Sequence, residues 1–157
     1  MRHRLIHLFA RRRPKPVGPS HETQLRALTA LLDEAVTAQR GADHAVAACG
    51  EPGPVHPEIA QACGRHSVTF HRLSGRLHSL PMTYPDLMQA RARAGRLLDY
   101  DQWMVRQAMD LAFTVHANAR TEAARLRLNG LGRPADELRR LRDLLRGLAE
   151  RSGTSGR

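Results

Sequence analysis

The sequence predicts an all-α protein, an antiparallel bundle of three long helices with a fourth helix at the C-terminal end. The composition is 41% hydrophobic but only 4% aromatic, which favours helices packed through Leu and Ala over a β-sheet. In addition, three stretches of the chain repeat core-type residues at alternating steps of three and four. This spacing places those residues on one stripe of an α-helix, so each stretch is expected to pack into a common core.

The three stripes are read directly from the sequence. The first consists of Leu25, Leu28, Leu32, Ala35, Gln39, Ala42, Val46 and Cys49. The second consists of Ile59, Cys63, His66, Phe70, Leu73, Leu77 and Leu80. The third consists of Leu87, Ala90, Ala94, Leu97, Asp101, Met104, Ala108, Leu111 and Val115.

The first two helices have clear start and stop signals. Ser20 is a suitable N-cap, so the first helix is predicted at about 20–49. A turn rich in Gly and Pro follows it. Pro57 suits the first position of the second helix, which is predicted at about 57–80 and ends before Pro81. The short connections require neighbouring helices to be antiparallel.

The third helix is predicted to be the longest element, at about 86–129, because no Gly or Pro interrupts it after Gly95 until Gly130. The C-terminal helix, at about 135–151, is predicted to fold back on the third. A helix of that length outruns the first two helices. We therefore expect the overhang and the C-terminal helix to form a hairpin through which the protein associates with itself.

Charge divides the chain into an arm, a domain and a tail. The formal net charge is +10, and residues 1–19 carry six basic residues and no acidic one. We interpret 1–19 as a basic flexible arm, 20–151 as a single helical domain and 152–157 as a disordered tail. The arm resembles neither a secretory signal nor a membrane span, so a cytoplasmic location is expected.

A buried polar layer is predicted within the bundle. Gln39, His66 and Asp101 fall on the core stripes at one level of the three antiparallel helices. Polar groups are costly there unless they bond one another, and such layers commonly fix the register of a bundle. With Cys63 one turn away, the layer could also form a nucleophile, base and carboxylate set. Because these side chains point inward, we expect no catalytic residue.

The two cysteines allow more than one interpretation. Cys49 and Cys63 both lie on core stripes, so the simplest role is that of small buried hydrophobic side chains. A disulfide across the short connection is an alternative. A metal site using these thiols with His56 and His66 is another, although no Cys-x-x-Cys pair is present. We predict no metal and no cofactor.

The segment His71-Arg-Leu73-Ser74-Gly75 resembles the H-x-L-K-G signature of histidine phosphotransfer domains, which are antiparallel helical bundles with an exposed phospho-accepting His. The resemblance implies that His71 would accept the phosphoryl group and that Gly75 would make room for a partner. The sequence departs from the signature at Ser74, where the family has a lysine.

Basic residues near both ends could contact anions, and nucleic-acid association is the main alternative function. The candidates are Arg2, Arg4, Arg11, Arg12, Arg13, Lys15, Arg120, Arg127, Arg139, Arg142 and Arg146. Acidic residues interleave with the arginines of the last helix, and few aromatic side chains are available for base stacking. Docking on a membrane surface is not expected, because the apolar face of the arm is narrow.

The sequence therefore predicts a non-enzymatic protein for interaction or assembly, with a second copy or another helical protein as its partner. Nucleic-acid association through the arm and the Arg-rich hairpin is the alternative. A phosphotransfer module built on His71 is the lesser one.

Overall fold

The computed structural model describes residues 18–114 and 116–154 and confirms the all-α class. Its helices are α1 (His21–Cys49), α2 (Pro57–Ser79), α3 (Pro85–Ala112), α4 (Ala119–Arg125) and α5 (Arg133–Thr154). No strand occurs in the described ranges. None of the described helices has the length and apolarity needed to cross a membrane.

Helices α1, α2, α3 and α5 form an antiparallel four-helix bundle. Contacts at both ends show that α1 and α2 are antiparallel, because Gln24 donates to Thr83 just beyond α2 and Cys49 touches Cys63. Helix α5 packs against both α1 and α3. The core consists mainly of Leu side chains, and Phe70 is the largest side chain that is fully buried.

The starts of the first three helices follow the local signals in the sequence. The Ser20 hydroxyl accepts a hydrogen bond from the backbone N–H of Thr23 at 3.2 Å, as an N-cap does. Pro57 and Pro85 occupy the first turns of α2 and α3, where their missing N–H groups are not needed.

The prediction of one continuous third helix at about 86–129 is wrong. Helix α3 ends at Ala112, and a separate short helix begins at Ala119. Asn118 caps this helix by accepting from the N–H of Thr121, and the Thr121 hydroxyl accepts from the N–H of Asn118. This capping box is a start signal inside the segment that the apolar spacing predicted to be uninterrupted helix.

Breaking the third helix lets α5 complete the core. Leu131 and Leu138 are fully buried and Leu145 is nearly so, whereas Leu148 stays 38% exposed. Helix α5 therefore fills the open side of the bundle between α1 and α3, and does not form a separate hairpin with α3 alone. It also extends to Thr154, so residues 152–154, predicted to lie in the tail, are helical. Residues 155–157 and the arm up to residue 17 lie outside the described part of the chain.

Arg125 of α4 holds the carboxyl end of α1. Its guanidinium donates to the carbonyl oxygens of Cys49 and Glu51, each at 2.8 Å, and also pairs with Glu122. Helix α1 has no basic residue in its own last turn. Because the carboxyl end of a helix carries partial negative charge, Arg125 supplies from elsewhere in the chain the cation that favours this end.

Two glycines allow the segment between α4 and α5 to approach α1 closely. A Cβ on Gly50 would lie 2.0 Å from the carbonyl oxygen of Leu128, so a side chain does not fit there. Gly130 has a φ of +116°, and a Cβ there would lie 2.5 Å from a carboxylate oxygen of Asp43. The same carboxylate accepts from the N–H of Leu131 at 2.8 Å, which fixes the turn before α5.

Replacing Gly50 by Ala is expected to lower the free energy of unfolding by about 2–4 kcal/mol, because the new methyl group collides with backbone rather than with a movable side chain. Urea unfolding followed by circular dichroism measures this. The control is Gly64→Ala, where the nearest atom is the Met109 sulfur at 3.9 Å. That change should raise stability by about 0.5–1 kcal/mol, since Ala favours a helix interior. Equal effects of the two substitutions would contradict the close approach at Gly50.

Arg125→Ala is expected to destabilise the protein by about 2–4 kcal/mol, because two carbonyl groups lose a charged donor. The matched control is Arg127→Ala, two residues away, whose side chain is exposed and makes no ion pair within the described ranges. Its effect should stay within about 0.5 kcal/mol. A small effect of Arg125→Ala in the same urea titration would show that the end of α1 is held by other contacts.

Candidate functional site

The buried polar pair Gln39–Asp101 joins α1 to α3. The amide nitrogen of Gln39 donates to Oδ2 of Asp101 at 2.6 Å, and both residues are fully buried. The remaining oxygens, Gln39 Oε1 and Asp101 Oδ1, have no hydrogen-bond partner. Both of these atoms are acceptors when Asp101 is ionised, so neither can satisfy the other.

His66, the third member of the predicted layer, does not join this pair. Its half-buried imidazole lies against Gly41 at the edge of the interface between α1 and α2; a Cβ on Gly41 would come within 2.7 Å of the ring. Loss of hydration and the charge of Arg65 lower the pKa of His66. The prediction placed His66 at the level of Asp101, and the structure shows why this is wrong.

His66 does not lie at the level of Asp101 because α2 and α3 are shifted along their axes relative to the predicted pairing. Ser74 donates to a carboxylate oxygen of Asp99 at 2.9 Å, and Arg106 donates to Ser67. In the predicted pairing, Ser74 would have faced a residue more than one turn earlier in α3. The length and path of the connection at residues 80–84 set this offset, and helix periodicity carries no information about it.

Burial raises the pKa of Asp101 to about 6. The Gln39 hydrogen bond and the charge of Arg139 on α5 lower this pKa, whereas the charge of Asp43 raises it. Desolvation outweighs the favourable contacts because the carboxylate receives only one hydrogen bond. A proton on Asp101 would provide the donor that the two unpaired oxygens lack.

A surface depression lies between α1 and α2, and we call it the α1/α2 groove. It has a volume of about 640 Å³ and opens to solvent. Its apolar lining consists of Ala27, Ala30, Leu31, Gly75 and Leu80. Its polar lining consists of Glu34, His71, Arg72, Arg76 and Ser79.

The polar side chains of the groove differ in what they contact. Arg76 and Glu34 form a two-bonded ion pair across it, at 2.5 and 2.8 Å, and this contact lowers the pKa of Glu34. Arg72 makes no ion pair within the described residues. The charge of Arg72 also acts on Glu34 and lowers its pKa, although the two side chains are not in ion-pair contact.

His71 and Gly75, singled out by the phosphotransfer signature, both line the α1/α2 groove. His71 is exposed, and a Cβ on Gly75 would meet no atom within 4 Å. Ser74, at the position of the family's lysine, is buried and bonded to Asp99. No cation from that position stands beside His71.

The predicted anion-contact residues do not form one surface. Arg142 and Arg146 both bond Asp33 of α1, at 3.0 and 2.5 Å, and Arg139 bonds Asp136. Arg120 and Arg127 are exposed. The candidates on the arm lie outside the described residues; they are Arg2, Arg4, Arg11, Arg12, Arg13 and Lys15. Most of the positive charge described on α5 is thus compensated by acidic neighbours.

The cysteine and histidine side chains considered for a metal site are not brought together as a set. The Sγ atoms of Cys49 and Cys63 are 3.8 Å apart, and His56 lines a different depression with His44. Among the described residues, no group of three or more His, Cys, Asp or Glu side chains is placed to hold a metal ion.

The fold and these features define an all-α four-helix bundle with an open groove between its first two helices. Searches against known protein families, curated proteins and solved structures find no match to this chain. Any function proposed for this chain must therefore come from its own geometry. Sequence reasoning missed the groove, although Ala27, Ala30 and Gly75 mark small residues on the outer faces of adjacent helices.

The free energy of unfolding should depend on pH through Asp101. The folded pKa of about 6 lies above the ordinary value of 3.8, so the folded state binds this proton more tightly than the unfolded state does. The contribution of Asp101 to the free energy of unfolding should be largest below pH 4. It should fall by about 3 kcal/mol as the pH rises through 6. Asp101→Asn removes the titration and offers Gln39 both a donor and an acceptor. We expect it to be more stable than the wild type at pH 7.5, but not at pH 4.

Urea unfolding at the two pH values checks this expectation. The control is Asp110→Asn on the same helix, at an exposed position, which should change neither value by more than about 0.5 kcal/mol. A loss of stability in Asp101→Asn at pH 7.5 would mean that the bundle requires the charged carboxylate.

Proposed function

We propose that the protein is a non-enzymatic interaction module that binds an amphipathic, acidic α-helix of a partner protein in the α1/α2 groove. The observation that carries this proposal is the open apolar floor between two helices, bordered by Arg72, which makes no ion pair within the described residues. Helix-in-groove binding uses apolar anchors along one face of the bound helix.

The floor of the groove suits a helix rather than a small polar ligand. Ala27, Ala30 and Gly75 are small, so the backbone of a bound helix can come close to both walls. Leu80, which is half-buried, supplies further apolar surface beside the almost fully buried Leu31. Release of water from such surfaces is the main favourable term in association.

The charge around the groove favours acidic residues on the partner. Arg65 lies two helical turns before Arg72 on α2, outside the groove lining, and neither makes an ion pair within the described residues. Val68 lies between them and is 70% exposed. Glu34, the acidic residue of the groove lining, is already bonded to Arg76. Carboxylates beside the apolar face of a bound helix would meet these arginines and steer its approach.

The prediction of self-association depended on a third helix that extends beyond the first two helices. Because α3 ends at Ala112 and α5 is packed within the bundle, the expected overhang is not part of the described structure. We therefore place the partner in the groove. Nucleic-acid association remains the rival proposal, and it depends mainly on the arm.

A fluorescein-labelled amphipathic peptide with Leu and Ala on one face and Glu beside them should bind the full chain saturably. Fluorescence anisotropy measures the affinity. Gly75→Trp should weaken binding by at least about tenfold, because Gly75 lines the groove, where an indole would occupy the space of a bound helix, and a Cβ at this position meets no atom within 4 Å. Arg72→Glu should weaken it by at least about fivefold through charge reversal.

Matched controls separate the groove from general effects of size and charge. Gly147→Trp on α5 and Arg96→Glu on α3 lie outside the groove lining and should leave the affinity unchanged. A peptide with Lys in place of Glu should not bind. If the acidic peptide fails to bind, or binds Gly75→Trp as well as the wild type, the groove is not the interaction site. A DNA duplex that binds with steep salt dependence regardless of Gly75→Trp would support the rival proposal.

A further inference from the structure

Cys49 and Cys63 form a pair of thiols that neither the groove nor the polar pair uses. Cys49 is the last residue of α1, and Cys63 lies in the second turn of α2. Their Sγ atoms are 3.8 Å apart, and both side chains are fully buried. Both cysteines are free.

We propose that Cys49 and Cys63 are a redox-modification site, at which a low-molecular-weight disulfide such as oxidised glutathione converts the two thiols into an intramolecular disulfide. The contact distance is compatible with this product. An S–S bond is about 2.05 Å long, and the sulfur atoms must close the remaining gap by small rotations at the ends of two adjacent helices. The bond would tie the end of α1 to the start of α2.

The surroundings give the two thiols different roles. The two thiols share a hydrogen bond, and this bond together with the charge of Arg125 lowers the pKa of Cys49. The same bond and burial raise the pKa of Cys63. Since the thiolate is the nucleophile in disulfide exchange, Cys49 is the attacking residue and Cys63 is the resolving one.

The thiol–disulfide exchange proceeds in two steps. The Cys49 thiolate attacks one sulfur of oxidised glutathione, forms a mixed disulfide and releases one glutathione thiolate. Cys63 then loses its proton and attacks Sγ of Cys49, which releases the second glutathione thiolate. The protein loses two protons and two electrons, and one molecule of oxidised glutathione becomes two of reduced glutathione.

Access to the thiols requires movement of the segment that covers the end of α1. Arg125 bridges the carbonyl oxygens of Cys49 and Glu51, and the Leu128 carbonyl lies over Gly50. These contacts shield Cys49 while the segment is closed. Oxidation is therefore expected to be slow compared with an exposed thiol, and to stop at one intramolecular bond because the two sulfur atoms are already in contact.

Intact-mass spectrometry on the full chain tests the proposal. The reduced protein is incubated with oxidised glutathione, then denatured and alkylated with N-ethylmaleimide. We expect loss of both alkylation sites, a mass about 2 Da lower, no retained glutathione and a monomeric product. The melting temperature should rise by about 5 °C, because the bond constrains the unfolded chain. Two free thiols after the same treatment, with a urea-unfolded sample fully oxidised, would overturn the proposal.

Single variants test the assigned roles. Cys63→Ser, which keeps a hydrogen-bonding group beside Cys49, should accumulate a glutathione mixed disulfide on Cys49, whereas Cys49→Ser should react at least about tenfold more slowly. Circular dichroism shows that each variant is folded before the comparison is made. Equal rates for the two variants would overturn the assignment of Cys49 as the attacking thiol. If either variant is unfolded, the wild-type mass measurement still decides whether the bond forms.

Discussion

The contact between Arg125 and the carboxyl end of α1 is the interaction on which the rest of the architecture depends. It holds the segment after α3 against the end of α1, and the Asp43 carboxylate then fixes the turn at Leu131. From that point α5 must run back along α1 and α3. A four-helix core follows, in which Leu131 and Leu138 close the side that three helices would leave open. Without this closure, the apolar stripe of α5 would have no surface to cover.

Local sequence signals predicted most of the secondary structure. They did not predict where α3 ends or that α5 packs against both α1 and α3. Ser20, Pro57 and Pro85 act within one turn of themselves, so their effects can be read from the sequence. The end of α3 is different, because the apolar spacing continues past Ala112. What selects the break there is burial of α5 and the long-range bonds of Arg125, and neither is visible in periodicity.

The candidate site residues also divide into those that were predicted correctly from the sequence and those that were not. Gln39 and Asp101 were assigned to one level through the predicted pairing of α1 and α3 with α2, and they are bonded. His66 was placed at that level through the connection between α2 and α3, whose geometry the sequence does not specify. The groove was missed because it is defined by the absence of bulk at Ala27, Ala30 and Gly75. Residues that fill space leave an apolar pattern, whereas small exposed residues leave almost none.

The two ends of the interface between α1 and α2 differ in structure. At the end near Leu80, small residues leave the groove open, and the Glu34–Arg76 ion pair spans it. At the other end, Cys49 and Cys63 are in contact beneath the segment that carries Arg125. A covalent bond there would fix the separation of the two helices at one end. Because both walls of the groove belong to these same helices, the redox state of the thiols would restrict how far the groove can widen for a bound helix. Oxidation is thus expected to alter the affinity for the acidic peptide, although neither cysteine lines the groove.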